Sequence, residues 1–249
     1  MSGHAWDGAS YDRISGPQVE LGRAVLDRLP LNGDETVLDA GCGSGRLTEL
    51  LLERLPRGHV IAWDASESML EAARRRLGPK ADLRHGDLLE LELAEPVDAI
   101  LSTATFHWIA DHAALFERLH DALRPGGRLV AQCGGEGNID RLRGVAYAIL
   151  DREPYAAHFR DWRAPWNYAG AEVTRARLLA AGFSVAECWL APGPQQPEHA
   201  REFLWKIVLG PHVQHLPQDL REPFMDEVLR DLGEPVVVDF VRLNIDAVA

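Results

Sequence analysis

Cysteine is scarce in this chain of 249 residues, which contains only Cys42, Cys133 and Cys188. Their odd number and wide spacing exclude a disulfide framework and a zinc-binding cysteine motif. Cys42 falls inside a glycine-rich turn and Cys133 at the end of an apolar run, so we expect both to be small buried residues rather than reactive thiols. Three unpaired cysteines are typical of a reducing compartment, and the sequence therefore predicts a cytoplasmic protein.

Positive charge is also in deficit, with 26 Lys and Arg against 38 Asp and Glu and a net charge of −12. Because nucleic acids are bound mainly through Lys and Arg, this balance argues against a nucleic-acid partner. No apolar run is long enough to span a membrane, and residues 1–10 lack the basic and apolar regions of a signal peptide. What remains is a globular protein with a small-molecule partner, as a monomer or a homodimer.

A glycine-rich turn at residues 41–45 follows a short apolar run and precedes a stretch with helical spacing. A strand, a tight turn and a helix in succession form a cofactor crevice at the carboxyl edge of a parallel sheet. We expect a side chain at Gly41 or Gly43 to occupy space that the ligand needs. A dinucleotide fingerprint would place its third glycine at position 46, where this chain has Arg46, and no P-loop lysine follows. The turn therefore favours a nucleoside-like ligand without a pyrophosphate.

Two further predicted strands also end in acidic residues. Asp64 lies about 20 residues beyond the glycines, where a carboxylate can accept both hydroxyls of a ribose. Met69 follows on the first turn of the next helix, where a flexible apolar side chain can cover an adenine face. Asp87 ends a third strand and could accept a hydrogen bond from an exocyclic amine. We therefore expect Asp39, Asp64 and Asp87 to converge around one nucleoside.

Four motifs in this order resemble those of class I S-adenosylmethionine-dependent methyltransferases. They are the run from Asp39 to Gly45, the ribose acid Asp64, the pair Asp87-Leu88, and the Pro-Gly-Gly turn at 125–127 before strand five. The resemblance implies S-adenosylmethionine as the cofactor. It also implies a cofactor-binding set made of Asp39, Gly41, Cys42, Gly43, Gly45, Asp64, Ala65, Met69, Asp87, Leu88, Thr103, Tyr11 and Trp6.

Within that class the chain looks most like the trans-aconitate methyltransferase group. The shared features are Trp6 and Tyr11 near the N-terminus and the segment 105–112 after strand four. That group commonly has Gln where this chain has His107, and a small or aliphatic residue where it has Trp63. The resemblance implies O-methylation of a small carboxylic acid. A natural-product hydroxyl and a malonyl group on a carrier stay open as acceptors.

Alternating strands and helices predict one α/β domain with a doubly wound, mostly parallel sheet of seven strands. Residues 1–17 are expected to form a lid over the cofactor mouth or a tethered tail, and residues 18–133 a cofactor-binding core. Residues 134–171 and 192–232 are expected to be two helical segments that form a cap, and residues 235–246 a last strand. The resemblance implies that the last strand lies antiparallel between strands five and six.

His107, after strand four, is the candidate catalytic residue. With an ordinary pKa of about 6.5 it could act as a base, or it could orient the substrate as a hydrogen-bonding wall. His112 and His120 are expected to face solvent from the next helix. His212 and His215 have the spacing of a metal pair, but no third ligand is evident and no metal is predicted.

The substrate side is predicted from aromatic and basic residues beyond strand five. A cluster of aromatic residues without regular spacing can fill the interior of a cap or wall a pocket. Arginine suits a carboxylate because its planar fork forms two parallel hydrogen bonds, and Arg13 could reach over from the lid. The predicted substrate-binding residues are Trp108, Arg141, Arg143, Trp166 and Tyr168.

Two other classes of function stay open at this point. A nicotinamide-dependent oxidoreductase could use the same fold, although it would place its third glycine one residue later. A non-catalytic, methyltransferase-like binding protein could hold the cofactor or a protein partner. Binding of S-adenosylmethionine in preference to NAD, and methyl transfer into a metabolite, would separate the three hypotheses.

Overall fold

The computed structural model describes residues 16–249, with side chains from residue 21 onward. Trp6, Tyr11 and Arg13, and with them most of the predicted lid, lie outside the described residues. None of the described helices is long and apolar enough to cross a membrane.

Seven strands form a single sheet in the order β3-β2-β1-β4-β5-β7-β6. Strands β1 to β5 are parallel to one another, and β7 runs antiparallel between β5 and β6, as the resemblance implied. The strands are β1 Thr36–Ala40, β2 His59–Asp64, β3 Asp82–His85, β4 Val97–Thr103, β5 Leu123–Gly134, β6 Val185–Pro192 and β7 Val241–Val248.

Helices cover both faces of this sheet. The first five are α1 Gly16–Leu26, α2 Arg46–Arg54, α3 Glu67–Leu77, α4 His112–Asp121 and α5 Asp140–Leu150. The remaining ones are α6 Ala156–Phe159, α7 Ala171–Ala180, α8 Ala200–Phe203, α9 Gly210–His215 and α10 Gln218–Leu232, and a π-helical stretch, Leu204–Val208, joins α8 to α9.

The central strands are apolar on both faces because each face is covered. In β1, Val37 belongs to one hydrophobic cluster and its neighbour Leu38 to another, since successive side chains of a strand point to opposite faces. Both side chains are fully buried. This double burial confirms the mostly parallel, doubly wound sheet expected from continuous apolar runs.

A separate hydrophobic cluster lies outside the sheet. It is built from α5, the segments from α8 to α10 and the stretch before β7, with Phe224, Met225 and Val228 completely buried. This cluster forms a cap beside the carboxyl edge of the sheet and supplies part of the cleft described below.

Two details differ from the sequence-based expectations. The last strand begins at Val241 instead of residue 235, and residues before it make only an isolated bridge between Val238 and Gln195. His112, expected to face solvent, is only 2% exposed, and its Nε2 lies 2.9 Å from the carbonyl oxygen of Phe106. The first turn of α4 packs inward there, which periodicity alone did not indicate.

Candidate active site

A cleft of about 1180 Å³ opens at the carboxyl edge of the parallel strands. Its floor is the glycine turn after β1, and its walls come from the segments after β2, β3 and β4, the start of β7 and the cap. A pocket for one drug-sized ligand has a volume of about 300–1,000 Å³. The described residues therefore leave room for a nucleoside cofactor and a second small molecule together.

The three glycines of the turn serve three different purposes. All have positive φ, at 85°, 55° and 80° for Gly41, Gly43 and Gly45. A Cβ at Gly41 would lie 2.1 Å from Oγ1 of Thr105, so Thr105 fills the space that was expected to be kept for ligand. A Cβ at Gly45 would lie 2.9 Å from Leu77, whereas one at Gly43 would have no atom within 4 Å. Only Gly43 presents bare backbone to the open cleft.

Asp64, at the end of β2, is held by two backbone donors. Its Oδ2 accepts from the N–H of Gly43 at 2.8 Å, and its Oδ1 accepts from the N–H of Ser66 at 2.8 Å. Each carboxylate oxygen keeps a second acceptor site, so Asp64 can still accept two hydroxyls. Burial raises the pKa of Asp64, while the two N–H donors favour its ionised form.

The other predicted cofactor residues of this edge also line the cleft. Met69 is 5% exposed, on the first turn of α3, where its N–H is capped by Ser66. Asp87 caps the short helix Leu88–Glu90 by accepting from the N–H of Leu89. The remaining members of this group are Cys42, Ala65, Leu88 and Thr103. Cys42 is buried, which raises the pKa of its thiol and leaves it as a small apolar contact.

Asp39 and Gly45, by contrast, are not part of the cleft wall. Asp39 is 1% exposed, and its Oδ2 accepts from the hydroxyl of Thr48 at 2.7 Å. Burial, helped by the nearby charge of Asp64, raises the pKa of Asp39 to about 7. The structure therefore brings Asp64 and Asp87 to the cleft and places Asp39 beneath the turn.

His107 lines the cleft from the turn Phe106–Trp108 after β4. Its Nδ1 lies 3.2 Å from the backbone N–H of Gly134 and accepts from it, so in the neutral ring Nε2 carries the proton. Burial, with a smaller contribution from the charge of Arg242, lowers the pKa of His107 to about 3. The ring is neutral at physiological pH, with its lone pair already in use. This arrangement suits a hydrogen-bond donor better than a base.

Four aromatic side chains, Trp108, Trp162, Trp166 and Tyr168, line the cap side of the cleft and are called the aromatic wall below. The rings of Trp166 and Tyr168 are stacked with centroids 5.7 Å apart, and Trp108 lies 6.2 Å from Trp166. Sequence analysis predicted three of these residues at the site, and the structure brings all three together. Trp162 was not among the residues predicted for the site.

The predicted arginines do not reach the cleft. Arg141 is directed to the carbonyl oxygen of Leu232 at 3.0 Å, and Arg143 pairs with Asp140 at 2.7 Å. Arg242 lines the cleft instead, with its guanidinium 4.2 Å from the centre of the Phe240 ring. It stands opposite Gly134 in the antiparallel pairing of β5 and β7.

The alternation of apolar and polar residues along β7 is a sequence pattern that could have predicted the position of Arg242. From Val241 onward, apolar Leu243, Ile245 and Ala247 alternate with polar residues, which fixes the strand's buried face. An antiparallel strand begins where its parallel neighbours end. The first residues of β7 therefore arrive at the ligand edge of the sheet, and Arg242 is among them.

Among the described residues, no group of three or more His, Cys, Asp or Glu could hold a metal ion. His212 is fully buried among aromatic rings, with the ring of Trp162 at 4.6 Å.

Asp39 generates a prediction about pH. The carboxyl of the folded cofactor-free protein has a pKa of about 7, against about 3.9 when unfolded. The folded state then retains a proton that the unfolded state loses, so Asp39 lowers stability as pH rises from about 4 to 7. Replacing Asp39 with Asn removes this dependence. Relative to wild type, urea unfolding should show the variant gaining about 2–3 kcal/mol between pH 5 and pH 8. A difference that does not change with pH would contradict a protonated Asp39.

Comparisons with known proteins identify relatives along most of the chain. A family described as a methyltransferase domain matches residues 37–127. A trans-aconitate 2-methyltransferase of Azoarcus sp. (strain BH72) is 32% identical over 237 residues, which cover 95% of this chain and 78% of that protein. Another, from Acidovorax ebreus (strain TPSY), is 38% identical over 236 residues, which cover 93% and 90%.

A solved structure shows the same fold. It is phosphoethanolamine N-methyltransferase 2 of Haemonchus contortus, in complex with phosphomonomethylethanolamine and S-adenosylhomocysteine. The TM-score is 0.62 at 19% identity, and the match covers 97% of this chain but only 56% of that one. Because the two curated relatives align along more than nine-tenths of the chain, the protein belongs to the trans-aconitate 2-methyltransferase family of S-adenosylmethionine-dependent methyltransferases.

Proposed function

We propose that this protein transfers a methyl group from S-adenosylmethionine to a carboxylate oxygen of a small acid bound beside Arg242. The observation that carries the proposal is one cleft with two unlike ends. One end exposes the backbone of Gly43 next to Asp64, and the other combines a half-buried arginine with the aromatic wall.

The cofactor end fits a nucleoside in its shape and chemistry. The space above Gly43 is open, Asp64 has two acceptor sites left, and Met69 and Leu88 offer apolar contacts on either side. We expect Asp64 to accept the ribose hydroxyls and Asp87 to accept from the adenine amine, as the sequence predicted. No site for a pyrophosphate is needed, which agrees with Arg46 in place of a third glycine.

The reaction itself asks little of the protein beyond orientation. The bound cofactor supplies a methyl group on a sulfonium. An ionised carboxylate oxygen takes it by displacement: a C–O bond forms, the C–S bond breaks with its electron pair going to sulfur, and no proton moves. Orientation and exclusion of water can lower such a barrier by about 7–11 kcal/mol. Arg242 would hold the carboxylate, and His107 would donate a hydrogen bond from Nε2.

A hydroxyl acceptor receives less support from the same residues. An alcohol must lose a proton during transfer, so it needs a base within reach. The only histidine of the cleft placed between the aromatic wall and Arg242, in the described residues, is His107. Its Nδ1 is engaged by Gly134, and its pKa of about 3 makes it a weak base.

Replacing Asp64 with Asn should weaken cofactor binding. The amide has one acceptor oxygen where the carboxylate has two, so it cannot serve two N–H donors and two hydroxyls. The loss of two charge-assisted hydrogen bonds, about 3 kcal/mol, corresponds to about a 100-fold weaker affinity for S-adenosylhomocysteine, measured by calorimetry. Asp82→Asn, on neighbouring β3 and outside the cleft wall, is the matched control. Unchanged affinity in the Asp64 variant would remove the predicted ribose contact.

Replacing Arg242 with Met should lower kcat/KM for the acid by about 100-fold, because a carboxylate would lose its charge-assisted partner. The dissociation constant of S-adenosylhomocysteine should stay within threefold. Turnover would be followed as released S-adenosylhomocysteine, with trans-aconitate as the first acid tried. Arg201→Met, which removes an arginine paired with Glu222 and Asp226 far from the cleft, is the control. A larger loss from Arg143→Met than from Arg242→Met would restore the sequence-based candidate.

Replacing His107 with Gln should keep activity within about tenfold of wild type. Gln can accept from the N–H of Gly134 and still donate, and loss of a true general base would cost about 10²–10⁴-fold. Because the pKa of His107 is about 3, its titration should leave no inflection in kcat between pH 6 and 9. A loss beyond 100-fold, together with a kcat that rises around pH 6–7 in wild type only, would make His107 the base.

A further inference from the structure

The substrate end of the cleft is lined by the side chains of the aromatic wall. Within the aromatic wall, Trp166 and Tyr168 lie nearly parallel, at 17°, and the ring of His107 lies 5.8 Å from Tyr168. Aromatic faces carry the negative side of the ring quadrupole, so they attract apolar groups and ring edges and disfavour anions. Such a wall therefore accepts a flat apolar body and works against a carboxylate laid on it.

His212 lies behind the wall and is uncharged. His212 is fully buried and contacts Trp162 at 4.6 Å and Trp166 at 5.2 Å. Neither of its ring nitrogens has a hydrogen-bond partner among the described residues. Burial lowers the pKa of His212 to about 3, so the ring is neutral.

The charges of Arg143 and Arg242 both oppose the rise that burial causes in the pKa of Tyr168, but of these two arginines only Arg242 lines the cleft. Three arginines of the described residues line the cleft, and Arg46 lies at the start of α2, beside the glycine turn. Arg163 is exposed at the mouth, with its guanidinium on the carbonyl oxygen of Trp162. Arg242 alone of these is half-buried beside the wall. That arrangement suits one desolvated carboxylate. A tricarboxylate would place its two other carboxylate groups against aromatic rings or in water.

We propose that the preferred acceptor is a monocarboxylic acid with an aromatic or similarly flat apolar body, its carboxylate on Arg242 and its body on the aromatic wall. This inference rests on the proposed carboxylate methylation and narrows it. It departs from a polycarboxylate acceptor, for which the described residues offer too few cations at that end of the cleft.

Two sets of acids test the preference in wild-type protein with S-adenosylmethionine. The first set is trans-cinnamate, phenylacetate and indole-3-acetate, and the second is trans-aconitate, citrate and fumarate. trans-Cinnamate and trans-aconitate are a matched pair, because both are substituted acrylic acids. We expect kcat/KM for the best aryl acid to exceed that of the best polycarboxylate by at least tenfold. A ratio of threefold or less overturns the inference.

Failure of the inference and failure of the proposed function give different results. Turnover of trans-aconitate at a rate above that of every aryl acid leaves carboxylate methylation standing and removes only the aryl preference. If calorimetry shows that S-adenosylmethionine binds but neither set releases S-adenosylhomocysteine, both proposals fall.

Variants of Trp166 provide a second readout. Trp166→Leu should raise KM for the best aryl acid about tenfold and change its kcat less, with affinity for S-adenosylhomocysteine within threefold. Trp166→Phe should restore most of the loss, because it keeps a flat ring. Trp189→Leu, on β6 and outside the cleft, is the matched control. An equal effect of Trp166→Leu on aryl acids and on polycarboxylates would mean that the wall does not select the acid's body.

Discussion

The carboxylate of Asp64 is the interaction on which the cofactor end depends. One of its oxygens accepts from Gly43, in the turn after β1, and the other from Ser66, at the start of α3. Two adjacent strand ends are thereby locked together by one side chain. The carbonyl oxygen of Trp63 adds to this by accepting from the N–H groups of Gly41 and Cys42 at 2.8 and 3.0 Å. The hollow above Gly43 is thus rigid before any ligand arrives, which reduces the ordering cost of binding.

Two acids, Asp39 and Asp64, lie at this edge of the sheet, and burial disfavours the ionised form of each. Burial raises the pKa of both Asp39 and Asp64, and the charge of Asp64 raises the pKa of Asp39 as well. Asp64 is favoured in its ionised form by two N–H donors, whereas Asp39 has the hydroxyl of Thr48. With a pKa of about 7, Asp39 can hold a proton near neutral pH, whereas Asp64 must stay ionised. We read Asp39 as a buried support of the turn, and Asp64 as the acid that meets the ligand.

A larger share of the residues predicted for the cofactor than of those predicted for the substrate lines the cleft among the described residues, for a physical reason. Asp64, Met69 and Asp87 come at or shortly after the ends of strands that succeed one another along the chain. Their positions could therefore be predicted from spacing alone. The substrate end is assembled from segments far apart in sequence. Arg242 reaches the cleft only because β7 is antiparallel, and His112 is buried only because α4 packs its first turn inward. Arg141 and Arg143, nearer in sequence to the loop after β5, point to partners outside the cleft.

His107 lines the cleft near Arg242, and its protonation state bears on which acceptor the site can use. Its lone pair on Nδ1 is committed to Gly134, the residue paired with Arg242 across β5 and β7. The neighbouring arginine also disfavours protonation of the ring. In the proposed reaction, Arg242 supplies a fixed cation and His107 a neutral donor, and this pair suits an acceptor that is already ionised. Alcohols and protonated amines would need proton removal that these residues do not offer. In the proposed reaction, the acceptor's own pKa would decide which acceptors can react, and the aromatic wall would then discriminate among the acids.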